Sequence, residues 1–115
     1  MSAITPLRAF AGIIAVAMLI AAPASAVPPK KTTITIAGMA YSASPVTVRV
    51  GETVEWVNKD VVDHTATEKT AAGKDALWDV SIAPGKSATV VMKTRGSFDY
   101  FCRYHPNMVA RLTVK

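Results

Sequence analysis

Residues Phe98-Asp99-Tyr100-Phe101-Cys102-Arg103-Tyr104-His105-Pro106-Asn107-Met108 begin as a strand and end as a tight loop. Strand alternation puts Phe98, Tyr100 and Cys102 on one face and Asp99, Phe101 and Arg103 on the other. The thiol therefore points the same way as two large aromatics, into the body of the protein. His105 and Met108 follow on the loop beyond the strand. A sulfur, an imidazole and a thioether thus fall within seven residues, and the remaining chain must supply strands to bury this one.

The chain supplies them. Thr32–Ala37 alternates Thr and Ile, and Val46–Val50 alternates with Val inward and Thr and Arg outward. Gly51-Glu52 turns into Thr53–Val57, where Val54 and Trp56 share a face and Trp56 suits the centre of a small core. Leu77–Ile82, Ser87–Lys93, the cysteine strand and Val109–Val114 complete a set of seven, with Pro84-Gly85 and Arg95-Gly96 as turns. Gly38–Pro45 reads as a connection carrying Met39 and Tyr41, and Pro45 keeps it off a central strand. Asn58–Ala76 is the longest irregular stretch and contains His64; Lys69–Lys74 within it reads equally as a short helical turn or as loop. Short strands with regular turn residues indicate an all-β antiparallel sandwich or barrel of about seven to eight strands.

Not all 115 residues belong to that domain. Arg8, the apolar run Ala9–Ala22, Pro23 and the small residues Ala24-Ser25-Ala26 form the pattern of a signal peptide, residues 1–26, cleaved after Ala26. The run is short for a membrane span; the alternative is an uncleaved anchor. The expected domain is 27–115, exported to the periplasm and without a membrane span. Only one basic residue, Arg8, falls in the leader, so the formal charge drops from +5 to +4. The remaining basic residues are scattered along the chain, with no dense run interleaved with aromatics, which argues against nucleic-acid binding. A mild positive field is compatible with steering an acidic partner. The single cysteine cannot form an internal disulfide, and in an exported protein it calls for pairing with another chain, reactivity or metal ligation.

Ligation is favoured by the neighbours. Taken singly, Cys102 reads as a core thiol, His105-Pro106 as a turn, Met108 as core filler and the remaining histidine, His64, as a surface loop residue. Taken together and in order, two His, one Cys and one Met form the set of a trigonal copper site with a long axial Met. Cys102 would bind as thiolate and His64 and His105 as neutral imidazoles, with Met108 as the weak axial donor. Four ligands leave no obvious position for a substrate, which suits outer-sphere electron transfer and not an enzyme; there is also no Ser-His-Asp set and no carboxylate dyad. Two other classes stay open: a periplasmic copper carrier or storage protein, disfavoured by the lack of Met- and His-rich tracts, and a metal-free structural module.

These residues resemble the cupredoxins, the type 1 blue copper proteins. Val46–Asn58 is similar to the family's second and third strands, Asp63-His64-Thr65 to the segment of its first His ligand, and Gly96–Cys102 to its penultimate strand. Two-residue gaps between Cys102, His105 and Met108, with Pro106 directly after His105, are most similar to the short ligand loop of the amicyanin subgroup, as is Ile36-Ala37-Gly38-Met39. The resemblance implies a Greek-key β-sandwich and a monomeric shuttle of single electrons through one copper ion held by His64, Cys102, His105 and Met108. It also implies an apolar patch around His105, with Met39, Pro106 and Tyr104, where a dehydrogenase, a c-type cytochrome or an oxidase docks. Phe101, which precedes the cysteine, offers a second exit of lower rank. Thr65 stands where the family often has Asn, Asp63 where Pro is common, and Ala110-Arg111 where Gly-Lys is frequent. Asp63 accordingly places a carboxylate next to His64, where it would orient the ring or lower the potential.

Overall fold

Thr53–Asn58 shows how the alternation becomes a layer: Val54, Trp56 and Asn58 are buried while the residues between them are half-buried. The computed structural model describes residues 3, 4, 12–17 and 30–115. The leader expected at 1–26 lies outside the described residues apart from those two short stretches, as does its cleavage point after Ala26. Among the described residues no helix is long and apolar enough to cross a membrane.

The strands are β1 (Lys31–Ala37), β2 (Ala40–Tyr41), β3 (Val46–Val48), β4 (Thr53–Asn58), β5 (His64–Glu68), β6 (Asp79–Ile82), β7 (Ser87–Val91), β8 (Gly96–Phe101) and β9 (Val109–Val114). They form a four-stranded sheet in the order β2-β1-β4-β7 and a five-stranded sheet in the order β3-β9-β8-β5-β6. Both are mixed: β1 runs parallel to β4 and β3 parallel to β9, and the other pairs are antiparallel. β3, which follows Pro45, is an edge strand, as a proline without an N–H requires.

The two sheets bury one core between them. The first contributes Ile34, Ile36, Val54 and Trp56, and the second Ala66, Ile82, Tyr100 and Leu112. Trp56 is fully buried and donates its Nε1–H to the hydroxyl of Tyr100 at 3.3 Å, with the rings edge to face at 5.6 Å. Trp78 stacks on Trp56 at 6.4 Å and meets Phe98 edge-on at 5.7 Å. The aromatic column is anchored on β8, so it also sets the inward face that continues to Cys102.

The all-β sandwich agrees with the expectation. Its sheets are mixed where antiparallel ones were expected, because β1 pairs with β4 and β3 with β9 in parallel, and the strand count is nine against about seven to eight. Two elements escaped the alternation pattern. β2 is a two-residue strand, too short to show a period, closed onto β1 by a hairpin turn at Gly38 (φ 59°) and Met39 (φ 60°). β5 has the sequence HTATE and is buried at all five positions, because β6 and β8 flank it on both sides. Its polar residues mask it as a loop in the sequence, and side-chain hydrogen bonds make their burial tolerable. Smaller differences follow from register. β3 stops at Val48, leaving Val50 40% exposed in the turn, and Leu77 lies outside β6 and is 54% exposed. Residues 69–74 are a turn without a helix, closed by Lys74 N–H to Ala71 O at 3.1 Å.

Replacing Trp56 by Ala removes the largest buried side chain of this core. A loss of about 3–5 kcal/mol is expected in urea unfolding. Val61→Ala, at a position 92% exposed, is expected to change stability by less than about 0.5 kcal/mol.

Candidate metal centre

The inward face of β8 ends one residue beyond the strand, at Cys102, which is fully buried. From there the chain turns twice in steps of three residues. His105 N–H donates to Cys102 O at 3.3 Å, and Met108 N–H donates to His105 O at 2.8 Å. Cys102 N–H then donates to Met108 O at 3.1 Å, closing the loop before β9 begins. The two-residue gaps between Cys102, His105 and Met108 are therefore the spacing of successive i to i+3 turns. Met108 is buried and His105 half-buried.

His64 approaches from the other side as the first residue of β5, and it is fully buried. Its Nδ1 lies 3.7 Å from Cys102 Sγ, and His105 Nδ1 lies 3.6 Å from the same sulfur. The two imidazoles meet edge to face at 5.0 Å. Across the three residues the donor atoms all fall within 4.8 Å of one another, close enough to share one ion. The donor chemistry fits copper. A thiol and two imidazoles exclude the hard, oxygen-seeking cations, and the buried thioether of Met108 in the same loop is a soft donor suited to copper.

The far side of the His64 ring is held by Asp60, whose Oδ2 lies 2.8 Å from Nε2. A carboxylate in this position accepts, so Nε2 carries a proton and Nδ1 is the ring nitrogen turned towards the sulfur. The same carboxylate accepts the N–H groups of Gly38 at 2.8 Å and Met39 at 3.0 Å. The Met39 N–H first, then the His64 ring, hold its pKa below the ordinary carboxylate range. One acid thus ties the β1–β2 turn to the histidine. The acid expected to orient the ring was Asp63; it is exposed in the segment leading into β5, and Asp60 takes the role. The reason is a local turn: Asn58 Oδ1 accepts the Asp60 N–H at 2.9 Å and folds the acid back over the strand end. Asn58-x-Asp60 after a strand is the sequence signal for such a turn.

Thr65 links the two halves of the site. Its N–H points at Cys102 Sγ at 3.3 Å, and its hydroxyl accepts the N–H of Arg103 at 2.9 Å. The hydroxyl passes its own proton to Thr67 Oγ1 at 2.9 Å, and Thr67 donates to Asp79 Oδ1 at 2.9 Å. The Arg103 guanidinium closes the chain on the same Asp79 oxygen at 3.3 Å. Thr65 therefore joins the histidine strand to the cysteine loop. Tyr41, noted in the sequence only as part of a connection, donates to Thr65 O at 2.6 Å. Burial, reinforced by the nearby Cys102 and Tyr100, raises its pKa well above the usual phenol value.

Outside the site, Met39 is 42% and Tyr104 56% exposed, and Pro106 is exposed beside half-buried His105. Met39, His105, Pro106, Asn107 and Met108 line a shallow cleft there. Phe101 is half-buried on the opposite face of β8 from Tyr100.

Burial pushes the Cys102 thiol up, but the Thr65 N–H, both imidazoles and the backbone at Tyr104 outweigh it and bring the pKa from 9.0 down to about 6. Because the folded value lies below the unfolded one, the unfolded chain binds this proton more tightly. The metal-free domain is therefore expected to gain stability as pH rises from about 6 to 9, and to lose it as pH falls back through that window. Ultraviolet absorbance of the thiolate, titrated without metal, should show a midpoint near pH 6 in the wild type. Thr65→Pro, which deletes the N–H donor, should move that midpoint upward.

Comparison with known proteins bears on the same residues. The cupredoxin-like domain family matches residues 10–114. Amicyanin of Paracoccus versutus is 34% identical over 93 residues, covering 80% of this chain and 70% of that protein. Plastocyanin of Scenedesmus fuscus is 34% identical over 74 residues, covering 58% and 76%. The crystal structure of Paracoccus versutus amicyanin superposes with a TM-score of 0.65 at 34% identity, covering 77% of this chain and 85% of that one. The match spans both the histidine strand and the cysteine loop, and the chain accordingly belongs to the cupredoxin-like family, whose members bind copper and transfer electrons through it.

Proposed function

We propose that this protein is an exported, periplasmic carrier of single electrons, most similar in its site to amicyanin, with His64, Cys102, His105 and Met108 holding one copper ion. The observation that carries this reading is the preformed convergence of Cys102 Sγ, His64 Nδ1 and His105 Nδ1 within 4.8 Å in a fold of the copper family. Bound copper supplies a couple that takes up and releases one electron without a proton or a bond change in substrate. The chain supplies the rest. Asp60 holds the His64 tautomer, and the Thr65 N–H and burial keep the sulfur in one place. The two turn bonds of the Cys102–Met108 loop fix His105 and Met108. Donors held this firmly suit a site whose ligands move little between oxidation states.

His105 is the candidate donor nearest solvent, within the cleft shared with Met39 and Pro106. We assign docking of a redox partner, a dehydrogenase, a c-type cytochrome or an oxidase, to this patch, with the protein acting as a monomer. The signal peptide at 1–26 delivers the domain to the periplasm. A carrier that releases copper to other proteins is the second reading; the full burial of His64 and Cys102 speaks against easy ligand exchange.

Adding Cu(II) to the metal-free protein is expected to produce an intense visible thiolate-to-copper charge-transfer band. Cys102→Ala should abolish it, and voltammetry should be reversible. A colourless copper complex, or copper lost on reduction, rejects the shuttle. Asp60→Ala should leave the domain folded and weaken copper binding by roughly 10–100-fold in a chelator competition.

A further inference from the structure

The end of the sandwich opposite the metal centre is stitched into one layer. β4 runs from Thr53 towards Asp60, and β8 from Gly96 towards Cys102, so their first residues mark the far pole. There Thr53 N–H donates to Lys30 O at 3.1 Å, Gly51 N–H to Met92 O at 2.8 Å and Val50 N–H to Lys115 O at 3.0 Å. Lys31 pairs with Thr53, and Thr53 with Val91. Segments 30–33, 48–55, 91–97 and 113–115 therefore share this pole. They carry Lys30, Lys31, Arg49, Lys93, Arg95 and Lys115, all exposed, and only two acids, Glu52 and Glu55.

The acids neutralise little of this. Glu55 pairs with Lys31 at 3.4 Å. Glu52 turns its Oε2 onto the backbone N–H of Arg49 at 2.9 Å. Among the described residues no carboxylate pairs with Lys30, Arg49, Lys93, Arg95 or Lys115. Six cations less two carboxylates equal the +4 that remains of the +5 once Arg8 is set aside, so positive and negative side chains balance over the rest of the domain. With a Debye length of about 8 Å at physiological salt, a surface meeting this pole feels these charges and not those at the copper end.

We propose that this pole adsorbs on an anionic phospholipid surface, leaving the copper end directed into solution. The charges come from four separate segments and spread over an end of the molecule, a pattern that matches an extended layer of fixed negative charge. The chain also enters the fold at this pole, at Lys30. Adsorption would confine the protein near the membrane without hiding the patch around His105. The binding stands apart from the electron-carrier reading; only the orientation measurement rests on it.

The test is sedimentation of the exported, copper-loaded protein with vesicles of phosphatidylglycerol and phosphatidylcholine, against vesicles of phosphatidylcholine alone. Binding is expected only to the first and should fall steeply with salt. Each cation removed should weaken it roughly five-fold. Lys93→Glu with Arg95→Glu, both on an exposed turn, should therefore weaken binding more than about ten-fold with the visible band unchanged. Lys59→Glu with Lys86→Glu, at the copper end, should change it less than about two-fold. Reduction by ascorbate should be as fast on vesicles as in solution. Equal binding to both vesicles, insensitivity to salt or equal loss in both double variants would overturn the proposal. So would binding to soluble polyglutamate without binding to vesicles, which would indicate an acidic protein partner. A protein that binds anionic vesicles but shows no visible band would support this proposal and reject the copper reading instead.

Discussion

The site depends on one residue bonded in two directions. Thr65 directs its N–H at the sulfur of Cys102 and takes the N–H of Arg103 on its hydroxyl. Through it the histidine strand and the cysteine loop, far apart in sequence, become one rigid body. The hydroxyl relay through Thr67 to Asp79 satisfies polar groups that burial in the middle of a sheet would otherwise leave unpaired. A buried strand made largely of threonine and glutamate is stable only because each of these groups finds a partner, and the same partners fix where His64 begins.

A second set of contacts sets the orientation of His64. Asp60 binds the ring on one side and two backbone N–H groups of the β1–β2 turn on the other. The left-handed Gly38-Met39 turn aims both N–H groups at one carboxylate and at the same time carries Met39 to the surface beside His105. The geometry that fixes the buried histidine therefore also shapes the exposed patch. The aromatic column of Trp56, Tyr100 and Trp78 lies behind this, and its anchorage on β8 sets the face from which Cys102 projects.

The molecule is polar in the electrical sense as well. One end collects the net positive charge, while cations and carboxylates balance over the rest of the domain. An electron carrier has to leave one partner and find another. With docking at the patch and adsorption at the pole, as proposed above, the two would act separately, since exposed charges more than a Debye length apart act independently.

Much of this was legible from residue order. The inward run Phe98, Tyr100, Cys102, the core role of Trp56, the turn at Pro84-Gly85 and the tight loop from Cys102 through His105 to Met108 all follow from local rules: a period of two and turn chemistry. These depend on near neighbours and so are written in the chain. Residue order did not determine that HTATE is a strand, because its burial comes from β6 and β8 on either side and not from its own composition. Nor did it select Asp60 over Asp63, since adjacent position along a chain says little about which carboxylate a turn folds back. The basic residues, scattered in the linear chain, gather at one pole only when the strand ends align. Local chemistry was decided by the sequence, while the partners of each polar group and the placement of charge were decided by tertiary structure, because both depend on segments that meet only after the sheets pack.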